Sequence, residues 1–238
     1  MLTTSHADGV TTITLDDGKA NAMSLEMLTA IGGALDEAEQ AGEVVLLVGR
    51  EGKFSAGYDL GTFLKGVEPL HGMLRAGAEL SHRMVGFPTP IVAACTGHAI
   101  AMGGFLLLSS DYRVGADGPF KLGANEVRIN MAVPHWTIEL FRDRVPATFT
   151  SRMLLTGELF GPATALQAGY LDEVVPPEQV VERARTVAVE LAATVSMAKH
   201  LDTKNLLRAD LLARMRRAID SEITLENIQT VVDAATAS

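Results

Sequence analysis

The chain has 238 residues, 47% hydrophobic and 21% charged, long enough for one domain with a sizeable core and too mixed in composition for a disordered or fibrous protein. Twenty Lys and Arg against 29 Asp and Glu give a formal net charge of -9, and no dense basic run offers a surface to nucleic acid. Cys95 is the only cysteine, which rules out an internal disulfide and a cysteine-rich zinc site. The segment "MLTTSHADGV" has no apolar stretch of the signal-peptide kind, and no apolar run approaches the roughly 20 residues of a membrane span. The expectation is a soluble cytoplasmic protein that binds neither membrane nor nucleic acid. An anionic small molecule stays compatible, since local backbone dipoles and one or two lysines suffice to hold it.

Val10–Leu15 alternates as a strand does, with Ile13 and Leu15 on one face. After the turn-rich "DDGKANAM", Ser24 is placed to cap a helix carrying Leu28, Ile31, Leu35 and Ala38 at helical spacing. Val44–Val48 is an unbroken apolar run, as expected of a strand buried on both faces, and "REGKFSAGYDL" follows as a polar loop. A helix is predicted from about Leu70 to Val85, ended by Pro88-Thr89-Pro90 before the strand Ile91–Cys95. That strand breaks at Thr96-Gly97, with His98 in the turn, and Gly103-Gly104 opens another apolar run. Beyond Asp111, "YRVGA" reads as a strand and "PFKLGANEVRINMAVP" as an irregular, partly extended segment. "LDEVV" is a short strand, and helices are predicted over 177–194 and 206–223. Strands alternating with helices argue for an α/β core over 1–175, followed by a helical C-terminal region over 176–238.

Both apolar strands end in glycine-bearing loops, "FSAGYDL" and "TGHAIAMGG". If they neighbour each other in a parallel sheet, the loops emerge at one carboxyl edge, where α/β proteins bind ligands. Two N–H groups aimed at one point would there form an oxyanion hole; each loop alone is better explained by turn geometry, and it is their pairing that raises the functional reading. Neither loop is a dinucleotide fingerprint or a Walker loop.

With "ITLDDGKANAMS", "GKFSAGYDL", "PTPIVAACTGHAIAMGGFLLLSSDYRVGA" and "LGANEVRINMAVP" in this order, the chain from about Val10 to Gly169 resembles the enoyl-CoA hydratase/isomerase (crotonase) family. The resemblance implies a spiral of ββα units and a thioester substrate carried on coenzyme A, with no permanently bound cofactor and no metal. It assigns the oxyanion N–H groups to Tyr58 and Met102, with Gly103 as fallback because Met must avoid positive φ. It lays coenzyme A along the segments of Lys19, Ala20 and Ala22 and of Ala56, Asp59 and Leu60, and it implies a homotrimer or a pair of trimers built through the helical C-terminal part. That part also bears on closure of the site.

Hydratases of this family use two glutamates. One matches Glu126; the position of the other is taken by Phe105, which cannot activate water. A single carboxylate is what the family's isomerases use, so the resemblance favours double-bond isomerisation with Glu126 as sole acid and base, Phe105 drying its surroundings. Plain core packing explains Phe105 as well, and a surface position would leave Glu126 without a role. His98 and Trp136 are candidates for the pocket wall, though each also reads as a positional or packing residue. Hydration through another water-activating group and a silent acyl-CoA-binding protein are the alternatives. A serine hydrolase of the same fold is a third, with Asp111 read as a structural cap rather than a catalytic partner of Ser109 or Ser110.

Overall fold

The expected first strand is the second one in the fold. The computed structural model describes residues 2–236, and in it Leu2–Ala7 (β1) pairs antiparallel with Val10–Leu15 (β2) through a turn at Asp8-Gly9, both at positive φ. Such a turn matches the twist of a two-residue hairpin. β1 is an exposed edge with no apolar alternation to announce it.

Ser24 caps Leu25–Ala41 (α1), its Oγ accepting the Met27 N–H at 3.2 Å, and Gly42 in left-handed conformation ends the helix. Val44–Val48 (β3) leads through Gly52–Ser55 (β4) into Val67–Val85 (α2), which begins three residues earlier than its apolar pattern suggests. Ile91–Cys95 (β5) leads through Gly97–Ile100 (β6) into Met102–Ser109 (α3). Tyr112–Ala116 (β7) is followed by the two-residue Leu122–Gly123 (β8), a one-turn 3-10 helix at Glu126–Ile129, and His135–Arg144 (α4). Each turn of the chain thus gives one strand to each of two sheets and then a helix. The large sheet has the order β1-β2-β3-β5-β7 and ends on Glu173–Val175 (β9); the small one is β4-β6-β8. From β2 onward all pairings are parallel, and β3 and β5 are direct neighbours, Val45 opposite Ile91 and Val48 opposite Ala94. Gly97 and His98, expected in a turn, instead belong to β6. Its carbonyl-to-amide ladder with β4 and β8 fixes them, rather than any apolar pattern of their own.

Alternate residues of the large sheet enter two cores. Val45, Leu47, Ile91 and Ala93 pack under α1, α2 and α3. Val44, Leu46, Val92, Ala94 and Val114 pack against Val180, Ala184, Val187 and Ala188 of Val180–Thr194 (α7). With both faces covered, unbroken apolar strands are what the architecture requires. Ala147–Thr156 (α5) and Pro162–Gln167 (α6) connect α4 to β9.

Met197–Glu222 (α8) begins well before Leu206, and Leu225–Thr236 (α9) adds a last helix. The early turns of α8 are anchored by charge, not by apolar spacing. Asp111 accepts from the Ile91 N–H at 2.8 Å and from Lys204 Nζ at 2.7 Å, and Arg208 lies 2.9 Å from its other oxygen. Asp111 is therefore the pin that fastens α8 to the core. Further on, Arg75 and Arg216 of α2 and α8 meet Asp220 and Glu79, so the C-terminal helices fold back over α2. Among the described residues no helix is long and apolar enough to cross a membrane.

Candidate active site

The site begins with two segments stapled side by side. Asn21 is buried and donates to Leu15 O at 2.9 Å and Phe54 O at 3.2 Å. Ser55 Oγ donates to Asn21 O at 2.7 Å and accepts the Gly57 N–H at 3.1 Å. Ala56 N–H bonds Ala20 O, and Met23 N–H bonds Gly57 O. The candidate coenzyme A segments, Lys19 to Ala22 and Ala56 to Leu60, therefore run together. Asp17 braces the first of them: burial would raise its carboxyl, but the N–H groups of Asn21, Lys19 and Ala22 outweigh that and hold it below the usual range. Lys19, Ala56 and Leu60 are exposed, while Ala20, Ala22 and Asp59 are half-buried. Asp59 caps the short turn after it through Gly61 N–H and Thr62.

Met23 and Tyr58 form a parallel bridge in which Met23 N–H goes to Gly57 O and Asp59 N–H to Met23 O. That alternation turns the Tyr58 N–H to the opposite side, away from Met23. Met102 opens α3, so its N–H is among the first four that have no intrahelical acceptor. Gly57, at φ +97, brings the Tyr58 loop close against the start of α3. A Cβ there would lie 2.9 Å from Ala101 Cβ, 3.0 Å from Ile100 O and 3.6 Å from Met102 N. Gly103 packs just as closely on Ser55, where a Cβ would come within 2.6 Å of backbone and side chain. Gly103 is thus needed for contact with β4. Met102 avoids positive φ, as a non-glycine residue must, and the unusual conformation lies one residue earlier, on Ala101, whose φ of 49 and ψ of -123 lie where L residues are rarely found. Its N–H is held by Gly123 O at 2.8 Å.

Glu126 heads the 3-10 turn behind β8, and Asn130 in left-handed conformation closes that turn onto Glu126 O. Glu126 is only 6% exposed, and its Oε2 is buried with no hydrogen-bond partner. Burial raises its carboxyl pKa, opposed only by its own backbone N–H. Glu139, the other buried glutamate described, is instead satisfied by Arg142, Arg214 and His135. The Glu126 charge reaches two phenols, the half-buried Tyr58 and the buried Tyr170. Burial first and that charge second push Tyr58 upward, and Tyr170 rises through burial, Cys95 and Glu126. The Tyr58 ring lies against α2, where a Cβ on Gly77 would meet the hydroxyl at 2.3 Å.

Phe105 is 1% exposed and sits edge-on to Trp136 at 5.5 Å and to Phe141 at 6.3 Å. Trp136, likewise buried, packs in the first turn of α4. His98 is engaged elsewhere: its Nδ1 accepts the Lys121 N–H and its ring meets Phe120 edge-on at 5.4 Å. Sequence reading passed over Asn21 and Ser55. They lie in segments it singled out, and "ANAMS" and "FSAG" carried the signal. Among the described residues no group of three or more His, Cys, Asp or Glu is arranged to hold a metal ion. Chemically, a buried carboxyl whose pKa is raised suits proton transfer, and a helix-initial N–H such as that of Met102, which lacks an intrahelical acceptor, suits a polarised carbonyl.

Comparison with known proteins agrees with this architecture. The family model described as enoyl-CoA hydratase/isomerase matches residues 5–233. The chain is 33% identical over 221 residues to human mitochondrial enoyl-CoA delta isomerase 1, covering 90% of this chain and 72% of that one. Among solved structures, an enoyl-CoA hydratase/isomerase family protein from Pseudomonas syringae superposes with a TM-score of 0.90 at 40% identity, over 93% of this chain and 96% of its own. An enoyl-CoA hydratase from Mycobacterium marinum superposes with a TM-score of 0.87 at 39% identity, over 92% and 96%. Relatives named for either reaction are therefore near.

Proposed function

Because this chain belongs to the enoyl-CoA hydratase/isomerase family and has its crotonase fold, we propose that it shifts the double bond of an enoyl-CoA thioester, with Glu126 as the one proton-transfer group. The observation that carries this reading is a buried Glu126 whose Oε2 has no hydrogen-bond partner, in a chain where the position of the family's second glutamate is Phe105, packed among aromatic rings. Water activation needs a second base, and that position offers none.

In the proposed reaction the Glu126 carboxylate takes a proton from C2 of a 3-enoyl thioester. The C–H electron pair moves into the chain and its charge settles on the thioester oxygen, which accepts from the Tyr58 and Met102 N–H groups. Each such donor is worth about 3 kcal/mol where one has been removed from other enzymes. The protonated Glu126 then returns the proton at C4, the 3,4 double bond becomes a 2,3 double bond, and the carboxylate is restored. One proton leaves and one arrives, so no co-reactant is consumed. Coenzyme A enters as part of the substrate, along the stapled segments of Lys19 to Ala22 and Ala56 to Leu60. A homotrimer or a pair of trimers is part of the same proposal. The exposed Leu206 and Leu207 on α8 support an apolar contact there, and sedimentation would read it.

The test is incubation with 3-enoyl-CoA and, separately, 2-enoyl-CoA in deuterated water, beside Glu126→Gln. Conversion of 3-enoyl to 2-enoyl thioester, reduced by about 10²–10⁴-fold in the variant, is expected of a lone general base. Hydroxyacyl product from the 2-enoyl thioester would replace this reading with hydration. Binding of acyl-CoA without turnover would replace it with a silent binding protein.

A further inference from the structure

Four side chains of α2 meet α8 in antiparallel register. His71 Nε2 lies 3.2 Å from Ile223 O, and Arg75 donates to Asp220 at 2.6 Å. Glu79 takes Arg216 in a two-pronged pair at 2.7 Å, and His82 Nε2 lies 3.2 Å from Leu212 O. Spaced by four, four and three residues, the four form one stripe along α2. The helices come close at the end of that stripe, where a Cβ on Gly86 would stand 3.4 Å from Leu212 Cδ1. Arg75 and Arg216 balance Glu79 and Asp220, so these four charges cancel while the histidines are neutral.

His82 has both ring nitrogens committed. The Leu212 carbonyl can only accept, so Nε2 carries the proton there; Arg216 Nη2, 3.3 Å from Nδ1, can only donate, so Nδ1 is bare. The two contacts fix tautomer and charge together. A second proton would go onto Nδ1 and set N–H against N–H. The charged groups around His82 are Glu79 of α2 and Arg216 and Asp220 of α8. Toward the other neighbours of α2, Arg83 is engaged by Asp36 and Glu39 of α1, and Ser81 meets Ser109 of α3. Burial first, and the Arg216 charge second, hold the half-buried imidazole below its ordinary value of 6.5, against the pull of Leu212 O, Glu79 and Asp220.

We propose that His82 is a proton-sensitive latch between α2 and α8, fastening the C-terminal helices while its imidazole is neutral and loosening them when Nδ1 takes a proton. With the folded pKa below the unfolded one, the unfolded state binds the proton first. The contribution of the latch is therefore whole above about 6.5 and is lost as pH falls through the folded value. α2 is also the helix whose Gly77 seats the Tyr58 ring, so the latch adjoins the wall of the candidate site.

The test combines nitrogen-15 spectra of the imidazoles with amide hydrogen exchange over 212–222, both without substrate, so the outcome does not depend on the isomerase reading. His82 should be the neutral Nε2–H form at about pH 7.5 and titrate with a midpoint below 6.5. Exchange over 212–222, corrected for its intrinsic pH dependence, should quicken about two- to fivefold between about pH 7.5 and 5.5, the range of partly exposed charge contacts. His82→Gln, whose amide can donate to Leu212 O and accept from Arg216 without titrating, should abolish that change. A midpoint at or above 6.5, a neutral ring protonated on Nδ1, or the same quickening in His82→Gln would overturn the proposal. If the variant does not fold, the wild-type tautomer and midpoint still decide.

Discussion

Glu126 should cost the protein stability, and removing its charge should return it. The carboxyl is buried, its Oε2 has no partner, and burial holds its pKa above the ordinary value of 4.5. When a folded pKa stands above the unfolded one, the folded state keeps its proton longer as pH rises. Stability therefore falls from near the unfolded value up to the folded pKa, and above that the full deficit remains. Glu126→Gln removes the charge; Glu126→Met, of similar length, also removes every polar atom. A buried polar group left unsatisfied costs about 1–3 kcal/mol, and for a chain of this size each kcal/mol corresponds to about 2–4 °C in Tm. Calorimetry at pH 8 should find both variants more stable than the wild type, Met at least as much as Gln, with the difference shrinking as pH falls through the raised folded pKa and levelling off near the ordinary value of 4.5. A Met variant less stable than the wild type at pH 8, or a difference constant across pH, would refute the reasoning. Sites that need a perturbed group commonly retain it against stability.

Two further changes address the frame around the carboxyl. Gly57→Ala places a Cβ 3.0 Å from Ile100 O at a φ of +97, so the Tyr58 loop must move off α3; kcat/KM for enoyl-CoA should fall at least about tenfold, with circular dichroism unchanged, whereas wild-type activity would deny the contact its role. Asp111→Ala leaves Lys204 and Arg208, whose side chains are 3% and 7% exposed, without their shared anion; denaturant unfolding should register a loss of about 3–5 kcal/mol, and a loss below about 1 kcal/mol would show that the pin carries little.

How far the sequence could be read depended on where each element draws its stability. β3 and β5 are buried on both faces by helices, so their apolar runs were legible, as was the Ser24 cap. β4, β6 and β8 were not: Gly52–Ser55, Gly97–Ile100 and Leu122–Gly123 are short, glycine-bearing and held by one another's ladders. The first turns of α8 were missed because Lys204 and Arg208 secure them by charge to Asp111, distant in sequence. Glu126 could be named from its motif, but its lack of a partner is a tertiary fact.

Ala101 shows the division most sharply. The resemblance requires that Met102 avoid positive φ, and it does: the chain carries the positive φ at Ala101, φ 49, one residue earlier. Because Ala101 makes the reversal and Gly123 O holds its N–H, Met102 begins the helix in relaxed conformation. Its N–H direction is thereby set by the helix axis rather than by the flexible loop. A glycine at 101 would make the same reversal without strain but would also allow others, so the methyl group trades some stability for a fixed approach of the donor to the Tyr58 loop.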